Sequence, residues 1–196
     1  MVKKHNTKIK ILNLLLSHKS QQFTINNIAK SIGVDYKTVY LEVQNLIKNN
    51  IIDAKSIGHT TLCSLMLKEF NSDIFMAEST RREELFKNKN LNVLCSYFQE
   101  IKEPFFILLL FGSYASGKAR KNSDIDIMLI VDNEKLTSQI KNKAKLIPLN
   151  IHLVAFTSEE FLSQLRTTEF NVGKEAFNNN IILFGIEDYY RLVQNA

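Results

Sequence analysis

Two aspartates separated by one residue, Asp124 and Asp126, open an otherwise apolar run, "DIDIMLIV" at 124–131. No other stretch constrains the fold as tightly. A carboxylate in a buried strand is costly unless it is paired or binds a cation. Along a strand, residues two apart point to the same face. Asp124 and Asp126 therefore project together, and Ile125, Ile127 and Leu129 take the opposite, core-facing side. Ahead of them "FFILLLF" (105–111), bounded by Pro104 and Gly112, reads as a short buried strand. The polar stretch between the two strands, "GSYASGKARKNS", reads as a loop that can carry a helical turn. Two carboxylates on one strand face can hold one hard divalent cation or bridge two. Gly112 lets a phosphate approach the backbone closely. Ser113 adds a hydroxyl, and Lys118, Arg120 and Lys121 add positive charge.

Gly112-Ser113, ten intervening residues and Asp124-x-Asp126 together resemble the signature of the nucleotidyltransferase superfamily that includes DNA polymerase beta. "FGSYASGKARKNSDIDI" is most similar to its small bacterial and archaeal members, the minimal nucleotidyltransferases, over about residues 90–190. The resemblance implies an α/β (α+β) domain, a mixed sheet with helices on one face. It implies that Gly112 and Ser113, with Lys118 and Ser123, hold the triphosphate of an NTP, ATP being the first candidate. It further implies that Asp124 and Asp126 hold Mg²⁺ or Mn²⁺. A nucleoside monophosphate then passes to an acceptor hydroxyl, on a partner protein among other candidates, with release of pyrophosphate.

The chain departs from that family pattern on the next strand. Active members usually carry a third carboxylate there, whereas "PLNIHLVAF" (148–156) has none. Leu149, Ile151 and Leu153 alternate to one face, leaving Asn150, His152 and Val154 on the other. His152 is the candidate replacement, since imidazole can act as a base near neutral pH. Thr157 and Glu160 have the spacing of a helix capping box, which accounts for Glu160 without catalysis. Ser116 stands where related loops often carry Arg. Two readings follow: a Mg-dependent nucleotidyltransferase, or a non-catalytic regulator whose second domain binds a nucleotide or a partner protein.

The first third carries the excess charge. Residues 1–70 hold ten lysines against four acidic residues, a net of +6 within a chain total of +5. Such a balance favours a polyanion as partner. Ile9, Leu12, Leu15 and Leu16 are spaced as one face of a helix. Thr24 can cap a second helix carrying Ile25, Ile28, Ala29 and Ile32, and Gly33 can end it. Asp35 can cap a third, with Val39, Val43, Leu46 and Ile47 as its apolar stripe. "IIDAKSIGHTTLCSLML" then reads as two strands joined around Gly58. This order resembles a winged helix-turn-helix, in which the second helix of the pair reads the major groove of double-stranded DNA. Tyr36, Lys37, Thr38 and Tyr40 would face DNA from that helix, and Lys55 and His59 from the wing. Residues 1–70 contain no Arg, the usual reader of guanine edges.

The expected domains are 1–72 and 73–196, with 73–104 as connecting helices. Thr80 and Glu83 have capping-box spacing, and Leu91, Leu94 and Phe98 form an apolar stripe. Arg81 and Arg82 read as a solvated face, and Tyr189 and Tyr190 as core aromatics. Cys63 and Cys95 lack metal-ligand spacing and read as buried free thiols. No stretch approaches the roughly 20 apolar residues of a membrane span, so the expected location is cytoplasmic.

Overall fold

The computed structural model describes residues 2–58, 60–67 and 71–194, with side chains from Thr7 onward. The chain divides into two compact units, Met1–Ala77 and Glu78–Ala196.

In the first unit, α1 (Val2–Leu16) buries Ile11, Leu12, Leu15 and Leu16. Thr24 Oγ1 accepts from the Asn27 amide at 3.0 Å and starts α2 (Ile25–Ile32). Gly33, at φ +65°, ends it with a bond from its N–H to the Ala29 carbonyl. Asp35 Oδ1 accepts from Thr38 N at 2.9 Å and starts α3 (Tyr36–Lys48), whose Val39, Val43 and Leu46 are buried. A hairpin of β2 (Ile52–Ile57) and β3 (Thr60–Leu65) follows. A two-residue strand β1 (Phe23–Thr24), not expected from its length, pairs with β3 to give the antiparallel order β1-β3-β2.

Helix α4 (Ser72–Leu85) runs across the boundary between the units. It starts earlier than the capping-box spacing at Thr80 suggests, because Asn71 Oδ1 accepts from the amides of Asp73 and Ile74, both at 3.0 Å. Thr80 and Glu83 lie inside the helix.

In the second unit, α5 (Lys89–Gln99) is capped by Asn88 and buries Leu91, Leu94, Cys95 and Phe98. The order then runs β4 (Ile107–Phe111), α6 (Gly112–Ala115), β5 (Ile125–Ile130), α7 (Glu134–Leu146) and β6 (Ile151–Phe156). It continues with α8 (Ser158–Arg166), α9 (Val172–Asn178), β7 (Ile181–Phe184) and α10 (Ile186–Val193). The sheet order is β6-β5-β4-β7. β5 and β6 are parallel, joined by the α7 crossover, and β4 is antiparallel to β5 and β7.

On one sheet face Leu108, Leu110, Ile125, Ile127 and Leu129 form a core with Leu94 and Phe98 of α5 and Leu136 and Ile140 of α7. The other face is covered too. Every residue of β4 is buried, which a strand achieves only between two layers. α9 and α10 lie against β4 and α8 against β6. The mixed sheet is as expected; helices on a single face are not, because Leu109, Met128 and Ile130 also need cover.

Arg81 and Arg82 are not a solvated face. Arg81 is 6% exposed and sits 2.7 Å from Glu78 Oε2, and it also donates to the Asn180 carbonyl at 2.5 Å. Arg82 donates to the Leu183 carbonyl at 3.1 Å. Tyr190 donates to Glu78 Oε1 at 2.6 Å, and the Tyr189 hydroxyl accepts from Asn180 Nδ2 at 3.0 Å. Charged groups this deep persist only when paired, and the helical period alone does not show that the carbonyls of Asn180 and Leu183, just before and within β7, supply partners. Tyr189 and Tyr190 are core residues, as read. Cys63 and Cys95 are buried free thiols. Burial pushes the Cys95 thiol up to about 12, against a smaller opposing effect of the Arg82 charge. No helix among the described residues is long and apolar enough to cross a membrane.

Candidate functional site

β4 delivers the chain to the site and Gly112 turns it. The glycine has φ +66°, in the left-handed region. An ideal Cβ at this position would stand 3.1 Å from Cγ of Asp126 and closer still to its Oδ2. The turn and the carboxylate are therefore packed directly on each other. Gly112→Ala should displace Asp126 and, with the left-handed backbone alone costing about 1–2 kcal/mol, lower the urea midpoint of the second unit. An unchanged midpoint together with unchanged nucleotide affinity would remove the glycine from the site.

After α6 the loop folds on itself. Lys118 N donates to the Ser113 carbonyl at 2.9 Å, and Ser116 Oγ donates to the same oxygen at 3.1 Å. Ser116, the residue in the Arg position, thus braces the turn. Ser123 Oγ accepts from Arg120 N at 2.8 Å, so its hydroxyl holds the return of the loop toward β5. Lys118, Arg120 and Lys121 are exposed, and Ser113 is half-buried.

Asp124 and Asp126 lie on one face at the start of β5, opposite the buried Ile125, Ile127 and Leu129. Phe111 pairs with Asp126 across β4–β5, and His152 pairs with Asp126 across β5–β6. The same register sets Asn150 beside Asp124, and Asn150 Nδ2 donates to Asp124 Oδ1. His152 Nδ1 stands 3.2 Å from Asp126 Oδ1, with the imidazole side chain 62% exposed and the carboxylate 26%. A carboxylate only accepts, so Nδ1 is the donor in this contact, and in a neutral imidazole Nε2 is then the acceptor. Glu160 is turned away from this chemistry: its Oε2 accepts from Thr157 N at 2.7 Å, completing the capping box of α8.

The structure thus brings together Gly112, Ser113, Asp124, Asp126, Asn150 and His152. Among the described residues no three His, Cys, Asp or Glu side chains are grouped so as to hold a metal. The hydrogen bonds of Ser116 and Ser123 within the loop were missed from sequence. The only signal for them is the recurrence of serine at turn positions.

The remaining candidates lie in the first unit. Tyr36, Lys37, Thr38 and Tyr40 occupy the first turns of α3. The rings of Tyr36 and Tyr40 stack at 6.1 Å and 25°, both partly open to solvent. With Thr24, Asn26, Thr60 and Thr61 they line a groove of about 370 Å³. Lys55 is exposed on β2, and His59 lies outside the described residues.

Reduced HlyU from Vibrio cholerae N16961 is a solved structure that aligns with 13% identity and a TM-score of 0.32, over 41% of this chain and 81% of that one. No curated protein matches the chain. Residues 92–188 match the family model of polymerase beta, nucleotidyltransferase. That segment lies within the second unit and holds all four strands of the second sheet and both carboxylates, and it is similar to the nucleotidyltransferase superfamily.

Proposed function

We infer that the second unit transfers a nucleoside monophosphate from an NTP to an acceptor hydroxyl. The observation that carries this reading is the placement of Asp124 and Asp126 on one face at the start of β5, with Asp126 packed against the Gly112 turn. Their hard oxygen donors suit Mg²⁺ or Mn²⁺. A divalent ion held there supplies neutralisation of phosphate charge and alignment of attacking and leaving oxygens. The protein's own groups do the rest. The Gly112 backbone admits the triphosphate without a side chain in the way, Ser113 offers a hydroxyl, and Lys118 adds positive charge at the loop. The exposed His152 side chain pairs with Asp126 across β5–β6, and in its neutral form Nε2 can take the proton of an acceptor hydroxyl. Incubation with α-labelled ATP, CTP, GTP and UTP in host lysate should label an acceptor, and should label nothing with Asp124→Asn/Asp126→Asn. Metal-dependent nucleotide binding without any transfer would favour a nucleotide-sensing regulator instead.

The first unit supports a second activity, binding of double-stranded DNA. Its helix, helix pair and hairpin follow the order of a winged helix-turn-helix, with α3 as the reading helix. Lys37 is exposed in the first turn of α3, and Lys55 on the hairpin is suited to a phosphate. Lys37→Ala should weaken duplex binding and lower the slope of log affinity against log salt by about 1. An unchanged slope would turn α3 into a protein-docking helix.

A further inference from the structure

Asn150 is more than a gap where a carboxylate could stand. Its amide donates to Asp124 Oδ1, and His152 Nδ1 meets Asp126 Oδ1 at 3.2 Å. Asn150, just ahead of β6, and His152 on it therefore each engage one carboxylate oxygen, and the Oδ2 atoms remain outside these bonds. The Oδ2 of Asp126 is the one packed against Gly112, on the side of the phosphate turn.

This division limits what the pair can bind. A carboxamide NH₂ group is a donor only and brings positive partial charge to its surroundings. Two divalent cations in one site stand about 4 Å apart. Their mutual repulsion at that range needs anionic oxygens between and around them. Two Oδ2 atoms can ligate one hard cation. Among the described residues no third carboxylate, imidazole or thiolate joins them as a metal-holding group, and Asn150, just ahead of β6, presents N–H to Asp124.

We propose that Asn150 is a positioning residue that clamps Asp124 and restricts the site to one divalent cation per chain. The proposal rests on the transferase reading above. Outer-shell hydrogen bonds of this kind orient a ligand and tune its affinity, and Asn150 adds exclusion of a second ion. Asn150→Asp then has a definite consequence: it exchanges the donor for a carboxylate at the same position and opens a second cation site.

The test is Mn²⁺ titration of the full chain, saturated with a non-hydrolysable NTP analogue, read by calorimetry and electron paramagnetic resonance. Wild type should bind one Mn²⁺ per chain with the spectrum of an isolated ion. Asn150→Ala should keep that count and weaken the affinity about tenfold. Asn150→Asp should bind two Mn²⁺ with the broadened spectrum of a coupled pair. Position 150 is exposed, and a thermal melt matching wild type verifies the fold of each variant. Two ions in wild type would show that the amide turns its oxygen to a cation, and would overturn the proposal while leaving the transferase reading intact. A natively folded Asn150→Asp that binds one ion also overturns it. No Mn²⁺ bound by wild type overturns the transferase reading, and this proposal with it.

Discussion

Replacing Asp126 by Asn should lower nucleotidyl transfer on the order of a thousandfold while the second unit stays folded. A held cation contributes several kcal/mol at the transition state, and about 4 kcal/mol corresponds to a thousandfold in rate. The fold should survive because Asp126 is partly open to solvent and its side-chain partner, His152, is more exposed still. The amide is isosteric with the carboxylate, so it preserves the packing against Gly112. Initial rates of label transfer, beside a thermal melt within about 2 °C of wild type (below the shift expected for 1 kcal/mol), make the comparison. A folded variant retaining a tenth of the wild-type rate would take Asp126 out of the chemistry.

Arg81→Met should be the most destabilising single change in the second unit, by about 3–5 kcal/mol, because it leaves the Glu78 carboxylate buried without its cation. The side chains of Arg81 and Glu78 are 6% and 0% exposed, so solvent screening is slight. Tyr190 still donates to Glu78 in the variant, which satisfies a lone pair but not the charge. Burial first, and the Glu78 charge second, already hold the Tyr190 hydroxyl well above the usual phenol range. Glu78→Gln/Arg81→Met, which removes both charges and keeps an acceptor for Tyr190, should recover much of the loss. Urea unfolding of the second unit, followed by tyrosine fluorescence, separates the two. A single variant as stable as wild type would show that the Arg81 charge is not what keeps Glu78 buried.

What could be read ahead of the structure divides by physical cause. Local chemistry was legible: Thr24, Gly33, Asp35 and the Thr157–Glu160 box act where the spacing puts them, because a cap is decided within four residues. The period of two was legible as well. It put Asp124 with Asp126 on one face at the start of β5, and Asn150 with His152 on one face at the start of β6. What period cannot give is which strand lies beside which, and in what register. The hydrogen bond from Asn150 to Asp124 follows from that parallel register alone. The same limit explains Arg81 and Arg82, whose partners lie about a hundred positions away. β1 escaped notice because two residues carry no period at all. α7 is hard to see in the sequence because four lysines along it mask an inward stripe of Leu136, Ile140 and Ala144.

The pairing of β4 with β7 and the bond from Tyr190 to Glu78 have a kinetic consequence. Residues 112 positions apart must meet before Glu78 acquires its hydroxyl partner, and β4 remains an open edge until Ile181–Phe184 docks. Such non-local closure slows folding, toward the millisecond-to-second range typical of high contact order. During synthesis at about 5–20 residues per second, the ribosome exposes the apolar strand 107–111 for several seconds before its last neighbour emerges. The second unit is therefore most exposed to misassociation while it is being made.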